Sequence, residues 1–351
     1  MRKLLHLTAP VVGLGLALSA FNTQAVAESR ATDSELSLLL RLQPELVYVD
    51  GSAADAAGTD GFEITDGWAG GRRNGANWGA LFIDGAHPIN DDIWAFARFG
   101  LNINMDGLVD GDGRTREVYA GLEGNFGKIY AGKIGSAYKT SGMSWDPLNA
   151  SFLQARGNIG RSVGAFGHSS AFERSIAYEK SLGSIRFRAV ASLDDAVTGD
   201  TTGDDDHMIS AAISAPMGPV ELITAYIDGS GYEGAPKDRE AIKVGARYSK
   251  DQWSAAMMHE ARMEGLEDGN FTFVTGSYRH KKWQFSANAG LFDDDKGIND
   301  GDYFALGARY QLHRRVSIHG GIRQTDRDLT GKERVAGLGL RILLNSGNLM
   351  K

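Results

Sequence analysis

Between Glu35 and Leu344 the chain repeats sixteen segments of about ten residues in which apolar and polar side chains alternate. The breaks between segments also alternate, because each short break is followed by a longer one rich in Asp and Gly. Alternation with a period of two is typical of β-strands that have one apolar and one polar face. This feature limits the chain to an antiparallel sheet with short connections at one end and long connections at the other.

The polar face decides between two kinds of alternating sheet. In the segment that begins at Trp283, one face is apolar and aromatic, whereas the other carries Gln284, Ser286, Asn288 and Gly290. A soluble β-sandwich would also alternate, but a face of Gly, Ser, Asn, Gln and Arg is typical of a wet lumen. We therefore predict an all-β fold, a transmembrane antiparallel up-and-down β-barrel. It has 16 strands, seven tight turns, eight long loops and both termini on the tight-turn side.

The N-terminus has the features of an export signal. Arg2 and Lys3 precede a mostly apolar run, and Ala25-Val26-Ala27 forms an A-x-A cleavage site. We expect residues 1–27 to be a signal peptide and residues 28–351 to form a single barrel domain. The alternative, an N-terminal membrane anchor, is disfavoured because the apolar run is too short to span a bilayer.

Composition excludes several classes of function. The chain has no cysteine, which excludes a disulfide scaffold, a thiol nucleophile and a zinc–thiolate site. Its formal net charge is −7, which argues against nucleic acid as a partner. No stretch of eighteen apolar residues occurs, so a closed barrel is the remaining way to cross a membrane. No cofactor or metal is predicted, since the Asp-rich stretch 106–113 lacks the final Glu of a calcium loop.

Three of the six tryptophans occupy the same place in the repeat. Trp94, Trp253 and Trp283 each lie at or near the start of a strand that follows a tight turn. We predict that they belong to an aromatic girdle at the inner membrane interface. The alternative is that they are ordinary core residues.

A hairpin in the first half of the chain carries a family resemblance. The run from Arg116 to Lys133 reads REVYAGLEGNFGKIYAGK. It resembles the R-x-x-Y-x-G-L-x-G-x-F-G strand, tight turn and Gly-Lys strand end of the Gram-negative general diffusion porins. Ser175–Tyr178 and Gly337–Arg341 are loosely similar to that family as well. The resemblance extends over the whole chain in layout but is motif-specific over only about 40 residues.

The resemblance implies a homotrimeric barrel in the outer membrane of a Gram-negative bacterium, in contact with lipopolysaccharide. It also implies that the third long loop, residues 136–171, folds into the lumen as a constriction. The chain departs from the family at its end, because it continues past Leu344 and finishes with Lys351 instead of an aromatic residue. Either a short tail follows the last strand or assembly is recognised differently.

Candidate pore residues are the basic side chains of the wall and of the third loop. Arg41 and Arg98 lie on polar faces of their strands, and Arg116 matches the lumen arginine of the family motif. The position of Arg116 predicts Val118 and Ala120 inside and Tyr119 outside. The third loop contributes one acid against three bases: Asp146, Lys139, Arg156 and Arg161. We therefore expect a constriction that prefers anions, since guanidinium groups stay charged and attract them.

The predicted function is passive diffusion of small hydrophilic solutes and ions, without an enzyme activity. A close alternative is a substrate-specific channel for an anionic nutrient. An outer-membrane barrel enzyme is disfavoured, because His259, His280 and His319 stand on separate strands and no Ser–His–carboxylate order is evident. A soluble secreted β-protein is the third alternative, and detergent dependence of extraction distinguishes it from a barrel.

Overall fold

The structure is a computed structural model that describes residues 33–56, 60–65, 79–103, 115–155, 171–192, 208–228, 240–263, 268–297, 300–347 and 349. The predicted signal peptide therefore lies outside the described residues. Within the described ranges no helix has both the length and the apolar character needed to cross a membrane.

In the described part of the chain, eighteen antiparallel β-strands make up one sheet. The first nine are β1 (Glu35–Leu42), β2 (Glu45–Asp50), β3 (Gly61–Thr65), β4 (Gly79–Pro88), β5 (Trp94–Ile103), β6 (Thr115–Gly124), β7 (Gly127–Gly135), β8 (Ala171–Leu182) and β9 (Ile185–Ser192). The others are β10 (Met208–Met217), β11 (Val220–Asp228), β12 (Glu240–Lys250), β13 (Trp253–Arg262), β14 (Gly269–His280), β15 (Trp283–Asp294), β16 (Gly301–His313), β17 (Val316–Arg327) and β18 (Gly331–Asn345). Two short helices, α1 (Ser52–Ala56) and α2 (Ala137–Thr140), and a 3₁₀ turn at Met143–Trp145 lie in long connections.

The sheet closes on itself. Strands β4 to β18 pair in chain order, β18 pairs with β1, and β1 pairs with β4. Strands β1 and β2 keep one register against β18, and together they pair with β4 and β3. When β1 and β2 are counted as one wall strand, and β3 and β4 as another, the barrel has the predicted sixteen strands. The predicted fold class, a 16-stranded antiparallel barrel, is confirmed.

All seven predicted tight turns are present. They connect β4 to β5, β6 to β7, β8 to β9, β10 to β11, β12 to β13, β14 to β15 and β16 to β17. The long connection between β2 and β4 contains α1 and β3, which the sequence analysis did not identify. Strand β3 has only five residues, and so short a run carries too little alternation to be recognised.

The outer face of the wall is apolar, as a lipid-facing surface must be. In β15, Trp283, Phe285 and Leu291 are exposed on the outside, while Ser286 and Asn288 are buried on the inside. The side chains that pack together within the barrel include aromatic and aliphatic residues of both the wall and the third loop. The barrel is therefore partly filled from within.

The tail after Leu344 continues the last strand. The Ser346 N–H donates to the Leu38 carbonyl over 3.1 Å, and the Leu349 N–H donates to the Leu36 carbonyl over 2.7 Å. A short tail thus follows β18 and extends its pairing with β1. Of the two sequence-based alternatives for the chain end, the structure matches the first.

Candidate functional site: the barrel lumen

The described part of the third loop lies against the inner face of the wall. We call residues 136–155 the inward segment. Its backbone and side chains contact residues of β9 to β13, β15 to β18 and the β1–β2 strand. Twenty residues can reach so many strands of a closed ring only from its inside. Residues 156–170, with the predicted site residues Arg156 and Arg161, lie outside the described residues.

The beginning of the inward segment is fixed by polar contacts with three strands. The Arg188 guanidinium donates to the Thr140 hydroxyl over 2.7 Å and to the Gly135 carbonyl over 3.0 Å. The Tyr138 N–H donates to the Ser210 hydroxyl, and the fully buried Lys243 ammonium donates to the Tyr138 carbonyl over 2.7 Å. Burial, followed by the negative charge of Glu260, raises the pKa of Tyr138, so its phenol stays neutral.

Asp146 ties the middle of the inward segment together. One carboxylate oxygen accepts from the Leu148 N–H over 2.8 Å and from the Asn288 amide over 2.6 Å, and the other accepts from the Ala155 N–H over 3.0 Å. The side chain is 3% exposed. Asp146 was predicted as a lumen residue, and the structure places it between segment and wall as a positioning group.

The end of the inward segment is held by buried polar side chains of the first and last strands. One oxygen of Glu45 accepts from the Phe152 N–H over 2.9 Å, and the other contacts His319 Nε2 at 2.6 Å. The Arg341 guanidinium donates to the carbonyls of Asn149 and Ala150. Hydrogen bonds that involve charged groups are strong in a low-dielectric interior, so these contacts hold the segment firmly against the wall.

Gly142 shows how closely the segment approaches the wall. Its φ is +69°, and an added Cβ would lie 2.7 Å from both Ile223 Cδ1 and Met258 Sδ. Gly183, in a tight turn, has φ +60° and open space around the same position. Both positions favour glycine because their φ is positive, but only at Gly142 would a side chain also collide with its neighbours.

We predict that G142A destabilises the barrel more than G183A does. Each substitution pays about 1–2 kcal/mol for a left-handed conformation, and G142A adds an overpacking cost of about 1–3 kcal/mol. The measurement is the midpoint temperature at which detergent-solubilised barrel loses its folded mobility on gels. Equal midpoints for the two variants would contradict the close packing of the inward segment.

Three predicted site residues, Arg98 and Arg116 of the wall and Lys139 of the inward segment, come together around Glu117 near the beginning of the segment. Arg98 makes a two-point ion pair with Asp84, with contacts of 2.6 and 2.9 Å, and lies 3.6 Å from Glu117. The charges of Arg116 and Lys139 also act on Glu117. The wall itself supplies these acids, Asp84 and Glu117, neither of which the sequence analysis named as a site residue.

Arg116 reaches this group because of a β-bulge. Phe99 pairs with Val118 but Leu101 pairs with Thr115, so Arg116 and Glu117 together oppose one residue of β5. A bulge of this kind turns two consecutive side chains to one face. The guanidinium of Arg116 lies 5.4 Å from the ring centre of the inward Phe82, and that of Arg98 lies 4.8 Å from it.

The predicted orientations around the bulge were wrong. Tyr119 is buried inside, against Phe96 and Tyr130, whereas Ala120 and Leu122 are exposed outside. Strict alternation from Arg116 had placed Tyr119 outside, because alternation cannot count the extra residue of a bulge.

Two of the three tryptophans predicted for the girdle lie on the outer face. Trp253 and Trp283 are exposed on the outer face, and each packs against a tyrosine of the next strand, Tyr278 or Tyr310. Trp94 is 6% exposed and shares the inward face of β5 with Phe96 and Arg98. Its assignment to the girdle was wrong, since the even-numbered residues of β5 point inward.

A second group of basic residues lies on the inner face near the tight-turn end. We call Arg41, Arg279, Arg309 and Arg341 the arginine cluster. Arg279 and Arg309 are both cross-strand partners of Gln284, so about 10 Å separates their backbones. The charges of Arg41 and Arg309 act on Arg341, and the charge of Arg279 acts on Arg309.

The acids near the arginine cluster are already engaged. Glu45 bonds to His319 and to the inward segment, and Asp146 accepts three hydrogen bonds. Sequence analysis named Arg41 but not Arg279, Arg309 or Arg341. These three arginines could have been found from their position on the polar faces of their strands. Arg341 also lies in the part of the last strand that resembles the porin family. Among the described residues, no group of three side chains is arranged to hold a metal ion.

A closed wall with an apolar outside, a polar inside and a segment folded against its inner face defines a membrane channel. The sequence model of the Gram-negative porins matches residues 15–330, and the chain belongs to that family. It is therefore an outer-membrane porin, a passive diffusion channel.

Solved structures share the fold. The anion-selective porin from Comamonas acidovorans is 17% identical and has a TM-score of 0.71, and the match covers 89% of this chain and 100% of that one. OmpT of Vibrio cholerae, with its loop L8 deleted, is 15% identical with a TM-score of 0.66, over 89% and 99%. A mutant porin of Rh. blastica is 16% identical with a TM-score of 0.63, over 89% and 100%. A comparison with curated protein sequences gave no match.

Proposed function

We propose that the protein is a porin that prefers small anionic solutes. The observation that carries this proposal is the arginine cluster, in which four guanidinium groups face the inside while the neighbouring acids are occupied by the inward segment. At about 10 Å in water, one unit charge attracts an anion by about 0.4 kcal/mol. Glu45 and Asp146 keep their negative charges while they accept hydrogen bonds, so four positive and two negative charges leave a net charge of about +2 that attracts anions and repels cations.

The passage runs between the inward segment and the wall that carries Arg98 and Arg116. Lys139 of the segment and Arg116 of the wall both act on Glu117, so segment and wall approach each other closely here. The side chains of Arg98 and Glu117 are 15% and 17% exposed, which fits groups at a water-filled passage. We propose that this is the constriction and that no catalytic step takes place in it.

Liposome swelling tests the proposal. Vesicles containing the purified protein are placed in isotonic solutions of organic anions, neutral sugars and organic cations of matched size. Swelling should be fastest with the anions and slowest with the cations. Equal rates for all three would remove the charge preference but leave the diffusion channel in place.

The second candidate is a substrate-specific channel for an anionic nutrient. Arg98 and Arg116 converge on the ring of Phe82, and Lys139 lies nearby, which is the arrangement of a fixed anion-binding site. Single-channel recordings distinguish the candidates. Brief current blocks by one anionic solute at low concentration favour a specific site, and their absence for a panel of carboxylates and phosphates favours general diffusion.

We also propose a homotrimer, with an interface at the arc of β17, β18, β1 and β4. Near the tight turns the outer face carries aromatic residues on β12 to β15: the exposed Tyr248, Trp253, Trp283 and Phe285 and the half-buried Tyr278. On the proposed arc the corresponding described residues are aliphatic: Leu36, Leu38, Leu40, Ile83, Ile318, Leu340, Ile342 and Leu344. Aromatic residues favour a lipid interface, so an arc without them fits contact with protein.

We predict that I83W dissociates the trimer and that I242W does not. Both isoleucines face outward, Ile83 on the proposed arc and Ile242 on the aromatic side. A larger ring is accommodated by lipid but overpacks a protein interface at about 1–3 kcal/mol per subunit. Mobility of unheated samples on gels is the readout. A stable I83W trimer, or loss of the trimer in I242W, would place the interface elsewhere.

Export and surroundings complete the proposal. Residues 1–27 are removed as a signal peptide, and the acidic long loops meet lipopolysaccharide. N-terminal sequencing of the protein from outer membranes tests the first statement, and Glu28 is the expected first residue.

A further inference from the structure

Charge is distributed unevenly along the barrel axis. The long-loop end is acidic. We consider the described long-loop residues outside the inward segment, together with the last two residues of each strand at that end. The acids in this set are Asp50, Asp55, Asp60, Asp228, Glu240, Asp268, Asp293, Asp294, Asp295, Asp300, Asp302, Asp326 and Asp328. The bases in the same set are Arg116, Arg262, Lys296, Arg327 and Lys332.

The thirteen acids of this set outnumber its five bases, so pairing within the set leaves it net negative. Arg334 lies 3.7 Å from Asp50. Lys296 lies 3.5 Å from Asp268, and Lys332 lies 2.9 Å from Asp326. Asp293, Asp295 and Asp328 are exposed. The long-loop end therefore presents a net negative rim, which attracts cations to that mouth of the channel.

The inner face near the tight turns has the opposite sign. It carries the arginine cluster and, on β9 and β12, Arg186 and Arg247, which share the single carboxylate of Glu221 at 2.6 and 2.5 Å. The neighbouring turns on the aromatic side carry exposed bases at Lys250, Lys281, Lys282 and Arg314 against one exposed acid, Asp251, and the turn between β4 and β5 carries the exposed acids Asp91 and Asp92. Opposing charges in this half include Asp84, Glu123 and Glu179, and each of these is paired with an arginine or lysine.

We infer that the channel rectifies ionic current. A pore with a cation-attracting end in series with an anion-attracting end conducts better in one direction of the voltage than in the other. When the long-loop side is electrically positive, cations from the acidic mouth and anions from the basic half are both driven toward the middle, and the pore fills with carriers. With the opposite polarity both are drawn away from the middle, and conductance falls. The inference rests on the proposed function, because the arginine cluster must face the conducting path.

The effect depends on salt in a defined way. The Debye length is about 10 Å at 0.1 M salt and about 3 Å at 1 M. At 0.1 M the fixed charges of each end influence the full width of a narrow passage, so we expect about a twofold larger current with the long-loop side positive. At 1 M the ratio should approach one.

The test is the single-channel current–voltage curve of the full barrel in planar bilayers with potassium chloride. The orientation of the inserted channel is determined with a single introduced cysteine, which is a unique label because the natural chain has no cysteine. The variant L329C places one thiol on an exposed long-loop residue. A charged membrane-impermeant thiol reagent, added to one side at a time, shows which side the long loops face.

A triple variant separates this inference from the anion preference. D293N, D295N and D328N remove three exposed acids that accept no hydrogen bond in the described structure. The current ratio at 0.1 M should fall toward one, while the zero-current potential in a salt gradient moves further toward anions. A symmetric wild-type curve, or a larger current with the long-loop side negative, overturns the inference. A cation-selective but rectifying channel would instead contradict the proposed function.

Discussion

D146A is expected to loosen the inward segment and raise single-channel conductance. The Asp146 carboxylate accepts two backbone N–H groups of the segment and the side-chain amide of Asn288. Alanine leaves these buried donors without their acceptor, at a cost of about 1–3 kcal/mol each. The segment should then leave its place against the wall part of the time, which widens the passage and adds current noise. Conductance in 1 M salt and the thermal midpoint of the barrel are the measurements.

Two further variants make the result specific. D146N keeps one oxygen as an acceptor and should give a smaller effect than D146A. D295A removes an exposed long-loop aspartate of the same chemistry and should change neither conductance in 1 M salt nor the midpoint. Unchanged conductance in D146A, with a normal midpoint, would show that this carboxylate does not position the segment.

Removing charge from the arginine cluster should shift the selectivity toward cations. R279Q and R309Q each delete one positive charge from the inner face, and the double variant deletes two. At about 0.4 kcal/mol per charge for each ion, the ratio of chloride to potassium permeability should fall about fourfold for each substitution, because chloride loses an attraction and potassium loses a repulsion of equal size. Arg279 is the cleaner position, because it is exposed, whereas Arg309 also donates to the Pro147 carbonyl of the segment over 3.3 Å.

A matched arginine outside the passage serves as the control. Arg334 is exposed on the outer face at the long-loop end, 3.7 Å from Asp50. R334Q should leave the permeability ratio close to that of the unmodified channel. An equal shift in R334Q and R279Q would show that selectivity follows total charge and not the arginine cluster.

The wall of the barrel was predictable because the alternation that defines each strand lies within the sequence of that strand. Each strand alternates along its own sequence, so sixteen wall strands and seven tight turns could be counted. Two departures have no local signature. The bulge that turns Arg116 and Glu117 to one face depends on the register between two strands, and β3 is identified by its pairing with β2.

The site was predictable only in part for the same reason. The polar face identified Arg41 and Arg98, and the resemblance identified Arg116. The acids that pair with Arg98 are on adjacent strands, and which residues adjoin is set by register. The contacts of Glu45 with Phe152 and His319 join residues 107 and 274 positions apart. No pattern within one segment reports such contacts, so the anchoring of the inward segment became visible only in the folded barrel.

The zero-current potential of the unmodified channel tests the central claim most directly. Purified protein is inserted into a planar bilayer that separates two concentrations of potassium chloride, with no other ions in excess. We expect a reversal potential with the sign of chloride preference, larger at low salt because screening weakens the fixed charges as salt rises. A reversal potential with the sign of potassium preference would contradict it.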